Sequence, residues 1–553
     1  MANTFFGLTI GSSGLSASNA AINTVAHNIS NVNTKGYSKQ VTNQNASASL
    51  RVYSTYGCVG TGVNVTSIDQ LRSSYYDTKY WNNNANYGKY STLENYSILL
   101  EDYLDEFNLE GFTTEYDNFF KTINTMLTTD PTSEVSRNQF VNYAKSITEY
   151  FNTLSTNLSS VQKSANDEIQ STVHSINTIA EQIASLNKQI NTIEVNGGSA
   201  NDLRDARANL VDQLSQHINT TVKEIEVGNN VTEFYVYVDN QQLVDCYDYN
   251  TIICTAREDK RNASDLEGLF ELSWSTGMEF NMYSSTLAGG LKGAIDIRDG
   301  CNECYEVVGL KGADGEFIRG ELSRTGEFIE DDSKPIADVQ DIMKDEDAYN
   351  AYMAAGYEKV ITTYTDPYRN SDYKGVPYYQ SQINTFVQVF TEEINAVISK
   401  GDMGGEEVLP FFTSKYGSDY MSALNVTVNP EILNDISKLP YSFDNSQGAA
   451  NVDMATELYA LKDKITINNG NFMEYLSSIV SVISIDTSRT RTFSQNYSNI
   501  EATIKNQRLS VSGVDEDEEA VDLVKYQKAY DLSSKVISVM QQIYNKLINE
   551  TGV

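Results

Sequence analysis

The sequence is poor in the residues that enzyme and metal sites use most. It contains three histidines, His27, His174 and His217, and no two of them stand at the spacing of metal ligands. The HExxH pattern of zinc peptidases and the glycine-rich loops GxxxxGK[ST] and GxGxxG of nucleotide-binding proteins are missing. Every protein of this size offers the residue types of a Ser-His-Asp triad, so their presence alone does not indicate one. His174 and His217 lie in the predicted helical region and His27 lies beside the N-terminal seam, which are ordinary positions for surface or packing residues. We expect no enzyme activity, no cofactor and no catalytic or metal site.

Cysteine is also sparse and odd in number, which is not the pattern of a disulfide framework. Cys301 and Cys304 form one CxxC pair, and a zinc site would need a second pair or histidines at ligand spacing. The spacing of Cys246 and Cys254 does not supply it. With Cys58 as the fifth, the cysteines are expected to be incidental thiols, and a metal or redox role of Cys301 and Cys304 stays open.

The start of the sequence lacks the basic residues and the apolar run that a cleaved targeting signal would need. The first basic residue is Lys35 and the first acidic one Asp69, and no apolar run of about 7–15 residues resembles a cleaved signal peptide. No stretch approaches the roughly 20 apolar residues of a membrane span. The net charge of −34 would repel nucleic acid and anionic membrane surfaces alike. We expect no nucleic-acid partner and no membrane insertion.

Apolar residues at both ends follow helical spacing. The N-terminal seam has small residues at two positions and ends in helix-stopping residues before Gly36: Leu8, Gly11, Leu15, Ser18, Ile22, Val25, Ile29 and Val32. The C-terminal stripe follows a predicted N-cap at Asp515 and an acidic first turn. It consists of Val521, Val524, Leu532, Val536, Val539, Ile543 and Leu547. Two such ends predict helices that pack against each other and against neighbouring subunits.

The interior divides into a helical and a β-rich part. Apolar residues keep a period near 3.5 from Leu154 to Ile193, and the NGGS turn at 196–199 precedes a return helix, which predicts a helical hairpin. From Thr220 the period becomes two. The predicted fold is a bundle of coiled-coil-like terminal and rod helices with a central β-rich domain and an insert. Its expected domains are terminal 1–45 plus 505–553, rod 46–219 plus about 376–504, β-rich 220–300 and variable surface insert 301–375.

The terminal motifs resemble those of the axial proteins of the bacterial flagellum, namely its rod, hook and hook-associated proteins. They are SGLSA at 13–17 with HNISNVNTKGYS at 27–38, and SGVD at 512–515 with LVKYQKAY at 523–530. Ser30 stands where alanine is usual. Motifs and stripes together indicate the assembly residues Leu15, Ile22, Val25, Asn28, Ile29, Asn31, Asn33, Thr34, Gly36, Tyr37, Gly513, Val514, Glu518, Glu519, Leu523, Tyr526, Gln527, Ala529, Tyr530, Val536 and Ile543.

The interior resembles one branch of these proteins, the hook-associated protein 1 (FlgK) family. The resemblance runs in order over 1–300 and about 376–553 and includes Phe119-Phe120, ASLNKQI at 184–190, GGSANDLRD at 197–205 and GGLKG at 289–293. It implies a subunit of the junction between hook and filament, which allows the flagellin filament to assemble. The implied location is the extracellular flagellum, reached by type III export without a cleaved signal peptide.

The same resemblance implies the partners: flagellar hook protein, hook-associated protein 3 on the filament side, like subunits in a ring or helical layer, and a cytoplasmic export chaperone. Two alternatives stay open. The chain could be another axial subunit, such as a hook or rod protein, or the insert could carry an adhesin or enzyme activity. Because a lone amphipathic helix is marginal in water, we also expect both ends to order together on incorporation.

Overall fold

A computed structural model describes most of the chain. The described residues are 6–51, 57–109, 112–228, 231–257, 260, 264–300, 373–415, 421–448, 451–464, 467 and 470–549, together with four strands inside 301–372. Most of the predicted insert, with Cys301 and Cys304, lies outside them. The central thiols, Cys246 and Cys254, are free.

Helices make up most of the described chain. They are α1 (Phe6–Ser30), α2 (Ser74–Leu109), α3 (Phe112–Thr128), α4 (Glu134–Glu194), α5 (Asn201–His217), α6 (Gly290–Asp299), α7 (Val376–Ile398), α8 (Pro430–Asn434), α9 (Asp453–Ala460), α10 (Phe472–Ser512) and α11 (Glu516–Asn549). The N- and C-terminal helices pair, α1 with α11 and α2 with α10. The predicted class, terminal and rod helices around a β-rich centre, is confirmed.

Helix α4 is the spine of the fold. Its 61 residues bury a continuous row of apolar side chains from Phe140 to Ile190, and α5 returns beside it after a turn in which Gly197 has φ +83°. A left-handed backbone costs glycine little, so the NGGS segment can reverse the chain here. The predicted hairpin is confirmed, with α4 beginning about twenty residues before the apolar row that was read from the sequence.

The strands form small antiparallel sheets. They are β1 (Gln40–Ala46), β2 (Leu50–Arg51), β3 (Cys58–Val59), β4 (Val63–Gln70), β5 (Thr221–Gly228), β6 (Val231–Val238), β7 (Gln241–Asp245), β8 (Asp248–Tyr249), β9 (Ile252–Ala256), β10 (Phe270–Trp274), β11 (Tyr305–Lys311), β12 (Gly320–Leu322), β13 (Phe328–Glu330), β14 (Glu358–Tyr364), β15 (Phe412–Ser414) and β16 (Val426–Val428). The largest sheet has the order β5-β6-β7-β8, and the other strands pair in twos. In β6 the alternation buries Phe234, Val236 and Val238 against α4.

Two features differ from the domain limits expected from sequence. The β-rich stretch 220–300 ends in α6, which packs on α2 and α4. The expected boundary at residue 45 falls within β1, whose partner β4 lies after it, and both strands pack on α1. The β1–β4 hairpin therefore belongs with the terminal helices, and we call α1, this hairpin and α11 together the terminal module.

Two hydrophobic cores lie along α4. The larger one gathers aromatic side chains of α3, α4 and α7, with Phe119 stacked on Phe140 at 4.8 Å. The second lies where α4 and α5 meet the β-rich part and includes Trp81 and Trp274. Among the described residues, neither core includes a side chain of the terminal module.

Amide side chains on α4 bind the β-rich part to the spine. The side chain of Asn177 donates to the carbonyl oxygen of Ile252 and accepts from its N–H, both at 2.8 Å. Asn191 contacts both backbone groups of Thr232 in the same way, at 2.8 and 3.2 Å. A side-chain amide places an N–H donor beside a carbonyl acceptor in one plane, so it can pair with a strand as a neighbouring strand would and satisfy its buried backbone groups.

Candidate assembly surface

The terminal helices pack antiparallel through small residues of α1. A Cβ atom built on Gly11 would lie 2.8 Å from Cγ1 of Ile537, and one on Gly14 would lie 2.9 Å from Oγ of Ser533. Further along, Asn28 binds Glu519 at 3.0 Å. Glycine and serine allow this close approach because they lack bulky side chains, which explains the small residues within the predicted seam.

The contact face of α11 differs from its predicted stripe, whereas the contact face of α1 includes the seam positions Gly11, Ser18 and Val25. On α1 the seam residues Leu15, Ile22 and Ile29 are only half-buried, whereas the buried positions are Gly11, Ala17, Ser18, Ala21, Thr24, Val25 and Asn28. On α11 the covered and half-buried positions recur every three or four residues: Glu519, Leu523, Tyr526, Tyr530, Ser533, Ile537, Met540 and Tyr544. The two terminal helices pair as predicted. On α11 the face that meets α1 is the one opposite the predicted stripe.

The predicted C-terminal stripe is exposed instead. Its seven residues, Val521, Val524, Leu532, Val536, Val539, Ile543 and Leu547, are between 43% and 68% exposed, and we call them the α11 stripe. Scattered apolar side chains are ordinary on protein surfaces, whereas a row along one face of a 34-residue helix, interrupted near Lys528, is the kind of patch from which interaction surfaces are built.

Asn28 is the centre of the joint between α1, β1 and α11. Its side chain donates to the carbonyl oxygen of Gln40 and to Glu519, and it accepts from the Gln40 N–H and the Tyr37 hydroxyl. All four hydrogen-bonding positions of this buried amide are therefore used. Burial and the nearby carboxylates raise the pKa of Tyr37, so its hydroxyl stays a donor.

The other N-terminal motif residues shape the turn after α1. Asn31 donates to the carbonyl oxygen of His27 at 3.0 Å, and Thr34 donates to the Asn31 side chain at 3.1 Å, while Asn33 is exposed. Gly36 has φ +82° and lies against Asn209 of α5. The motif residues thus stabilise a turn and a joint, whereas Leu15, Ile22 and Ile29 lie on the half-buried face of α1.

The C-terminal motif begins at the other side of the joint. The Gly513 N–H ends α10 on the carbonyl oxygen of Leu509 at 2.7 Å, and Asp515 accepts from the N–H groups of Asp517 and Glu518 as the predicted N-cap. Val514 is half-buried beside Gly513. Of the remaining predicted residues, Leu523, Tyr526, Ala529 and Tyr530 are half-buried, while Gln527, Val536 and Ile543 are exposed.

A buried ion-pair cluster at the base of the joint was missed by sequence reasoning. Arg72 contacts Asp77 at 2.7 Å and Asp205 at 3.3 Å, and Arg508 contacts Asp77 at 2.9 Å and Asp212 at 2.7 Å. Burial raises the pKa of the Asp212 carboxyl, and its arginine partners oppose the shift. The family-like segment at 197–205 contains one of the acids, Asp205, but pairs between residues so distant in sequence leave no local pattern.

Two other kinds of site are absent from the described ranges. No group of three or more His, Cys, Asp or Glu side chains there could hold a metal ion. No described helix is long and apolar enough to cross a membrane.

Three family models match the chain. The model of the flagellar hook-associated protein FlgK helical domain matches residues 99–306, the flagella basal body rod protein model matches 8–37, and the flagellar basal body rod FlgEFG protein C-terminal model matches 505–550. The two short matches contain the terminal motifs, and the long one contains the hairpin of α4 and α5 with most of the β-rich part.

Full-length relatives agree with these matches. Flagellar hook-associated protein 1 of Bacillus subtilis (strain 168) is 25% identical over 565 residues, covering 100% of this chain and 99% of the relative. The protein of the same name from Escherichia coli (strain K12) is 25% identical and covers 97% and 98%.

A solved structure, the flagellar hook junction protein FlgK from Burkholderia pseudomallei, is 14% identical with a TM-score of 0.44, covering 78% of this chain and 100% of that one. The resemblance read from the motifs is confirmed by the family models and the full-length relatives together. The chain belongs to the family of flagellar hook-associated protein 1, FlgK, and is a structural component of the flagellar axis.

Proposed function

We propose that this chain is the subunit that joins the flagellar hook to the filament, and that the α11 stripe is its main contact with neighbouring subunits. The observation that carries the proposal is the exposure of seven apolar residues along one face of α11 while the opposite face is covered by α1. The full-length similarity to hook-associated protein 1 supports the location of the subunit.

Burial of the α11 stripe supplies the driving force for assembly. Each large apolar side chain contributes roughly 1.5–3 kcal/mol when it is removed from water. Seven such residues per subunit can offset the entropy of association only when a partner covers most of the row. Incorporation is therefore cooperative, with like subunits beside each copy, hook protein on one side and hook-associated protein 3 on the other.

The exposed stripe also explains the remaining proposed partner. Before export, an apolar row on α11 would promote aggregation in the cytoplasm. A cytoplasmic chaperone that covers the same face prevents this aggregation and is released when the subunit is exported. Export proceeds by the flagellar type III route without a cleaved signal peptide. The finished subunit lies in the extracellular flagellum at the junction between hook and filament.

A charge substitution on the stripe tests the proposal. The double variant Val536→Asp and Ile543→Asp should abolish motility and flagellin retention in a strain lacking the native gene, while hooks still form. The control variant Ser534→Asp with Ser538→Asp adds the same two charges on the polar face of the same helix. This double control, like Ser538→Asp alone, should support normal filaments. The helical content of the purified stripe variant should equal that of the native chain. Normal filaments on the double stripe variant would refute the proposal.

A further inference from the structure

A cleft of about 400 Å³ opens where α2, α6 and α10 meet the segment that leads into α7, and we call it the cationic cleft. Its wall carries four cationic and two acidic side chains, which leaves a formal charge of +2: Lys89, Lys292, Lys374, Arg489, Asp296 and Asp486. The whole chain has a net charge of −34, so a positive cleft is unusual on this protein. A positive site on so acidic a subunit attracts acidic groups of a partner.

One end of the cationic cleft is organised around Asp296. This carboxylate is 1% exposed and binds Nζ of Lys89 at 3.1 Å and Nζ of Lys292 at 2.9 Å. Lys292 is itself buried and also donates to the carbonyl oxygen of Met282 at 3.1 Å, so its charge stays inside the fold. Two lysines on one carboxylate leave one positive charge, and the half-buried Lys89 presents it to the cleft.

The other end of the cleft is more open. Burial raises the pKa of the Asp486 carboxyl, and the nearby charges of Lys374 and Arg489 oppose the shift. The charged group of Lys374 lies 5.2 Å from the centre of the Tyr378 ring, and that of Arg489 lies 5.8 Å from the centre of the Phe493 ring. Arg489 is exposed and Lys374 half-buried, so both can bind a carboxylate that enters from outside.

An acidic loop follows the far end of α7. Glu406 and Glu407 are both exposed, in a turn where Gly404 and Gly405 have φ values of +68° and +100°. Glycine adopts these values at little cost, so the turn can present two adjacent carboxylates. The base of the loop is fixed, because Asp402 accepts from the Gly404 N–H at 2.8 Å. We call residues 402–407 the acidic loop.

A cation near the acidic loop leaves its carboxylates available. Lys438 is close enough to Glu406 for the two charges to interact, but its salt bridge is to Glu431 at 2.5 Å. Among the described residues, neither Glu406 nor Glu407 is a member of an ion pair. Two carboxylates presented without a cation are ready to bind one on another molecule.

The cationic cleft and the acidic loop lie at opposite ends of one helix. Lys374 precedes the first residue of α7, Val376, and Glu406 follows its last residue, Ile398. The 23 residues of α7 span about 34 Å at 1.5 Å per residue, so the helix keeps the loop of a subunit out of its own cleft. Complementary sites at two separate places on a molecule form head-to-tail contacts, which close into rings or continue as helical arrays.

We propose that the cationic cleft of one subunit binds the acidic loop of the next copy of this chain in the assembled layer. The inference rests on the proposed function, because that function places like copies side by side. Glu406 and Glu407 face Lys374 and Arg489, with Lys89 as a third cation deeper in the cleft. Opposite charges add register and partner choice to a contact between like subunits, which apolar burial on α11 alone does not specify.

Cross-linking in isolated flagella tests the contact. Ser285 lines the cleft and is exposed, and Glu407 lies in the acidic loop. Ser285→Cys combined with Glu407→Cys keeps every cation of the cleft and also keeps Glu406. A short bismaleimide reagent cannot span the length of α7 within one subunit. It should therefore join neighbouring subunits and give a ladder of covalent oligomers on a denaturing gel.

The matched control has the same thiol in the cleft and its second thiol elsewhere. Ser285→Cys combined with Gln189→Cys places that thiol at an exposed position of α4. This variant and the two single variants in the cleft and the loop should give no more oligomer than the native chain, whose own cysteines set the background. A ladder confined to the variant with thiols in both cleft and loop identifies the two surfaces as neighbours.

Charge reversal tests whether assembly depends on the contact. Lys374→Glu with Arg489→Glu makes the cleft negative, and we expect the number of hooks that carry filaments to fall at least about tenfold, because like charges then meet. Adding Glu406→Lys and Glu407→Lys to the same chain restores opposite charges and should return that number to within about twofold of native. A cleft variant that had merely lost its fold would not be rescued by changes at the far end of α7.

A ladder no stronger than that of the control, or a charge reversal that leaves filaments normal or is not rescued, would overturn the inference. Failure of the proposed function would look different, because a strain lacking this chain would then keep its filaments. Loss of filaments in that strain, together with normal filaments in the charge-reversed variant, would refute the contact between cleft and loop alone.

Discussion

Asn28 on α1 and Glu519 on α11 stand 491 positions apart in the sequence and are joined by a hydrogen bond of 3.0 Å. Glu519 is 1% exposed and also pairs with Lys39 at 2.9 Å. A buried carboxylate needs such partners, since its transfer from water is costly. The two ends of the chain are therefore connected by a specific polar contact as well as by helix packing.

Glu519→Gln should weaken this connection by about 1–3 kcal/mol, because its amide group places a donor beside the donors of Asn28 and Lys39. Hydrogen exchange of α1 and α11 amides in the assembled subunit measures the loss. Glu518 binds the same lysine at 2.7 Å but is 65% exposed, so Glu518→Gln is the control and should change exchange little. Equal exchange in both variants would show that burial of Glu519 has no energetic role.

Secondary-structure elements could be predicted from the sequence better than the contacts between those elements. The α4–α5 hairpin, the strand alternation around Val236 and the cap at Asp515 follow from local periodicity and turn chemistry, which act within a few residues. The face of α11 that meets α1 could not be predicted in this way. Apolar spacing shows which side chains are to be buried in an assembling helix, but it does not show which partner buries them. Cluster residues such as Arg72 and Arg508 were missed for a related reason, since their partners are brought close only by the fold.

The amide contact between Asn177 and Ile252 predicts a loss of stability when its donor is removed. Asn177→Asp keeps the shape but leaves the Ile252 carbonyl oxygen facing a carboxylate without a donor. We expect the free energy of unfolding to fall by about 1–3 kcal/mol. Chemical denaturation measures it, and Gln189→Glu, at an exposed position of the same helix, should be nearly neutral. A neutral Asn177→Asp would indicate that water replaces the lost donor.

The two ends of the predicted insert lie close together, so we expect that most of the insert can be removed. A Cβ atom built on Gly300 would lie 2.5 Å from the carbonyl oxygen of Tyr373 and 2.6 Å from the Gly375 nitrogen, so the two ends meet beside α6. Replacing residues 301–372 with a short glycine-serine linker should leave the melting temperature within a few degrees of native and preserve filament attachment.

A deletion elsewhere provides the contrast. Removing 221–256, which contributes Phe234, Val236 and Ile252 to the second core, should prevent α4 and α5 from forming a stable folded core. If the shortened insert variant also failed to fold or to attach filaments, the insert would have a structural role beyond that of a surface decoration.

Burial of the Asp205 carboxyl predicts an unusual pH dependence of stability. Burial raises the pKa of the Asp205 carboxyl, and the bonds from Ser38 and Arg72 only partly oppose the shift. A carboxyl with a folded-state pKa above its unfolded value of about 3.9 adds stability that is complete below the unfolded pKa and is lost as pH rises through the folded pKa. The native chain should therefore gain stability relative to Asp205→Asn as pH falls from 7 toward 4. Urea unfolding of both proteins at several pH values gives the difference and cancels the carboxyls that they share. A difference that shrinks on acidification would mean that the ion pair with Arg72 outweighs burial, so that Asp205 holds the module as a charged group whose hold weakens in acid.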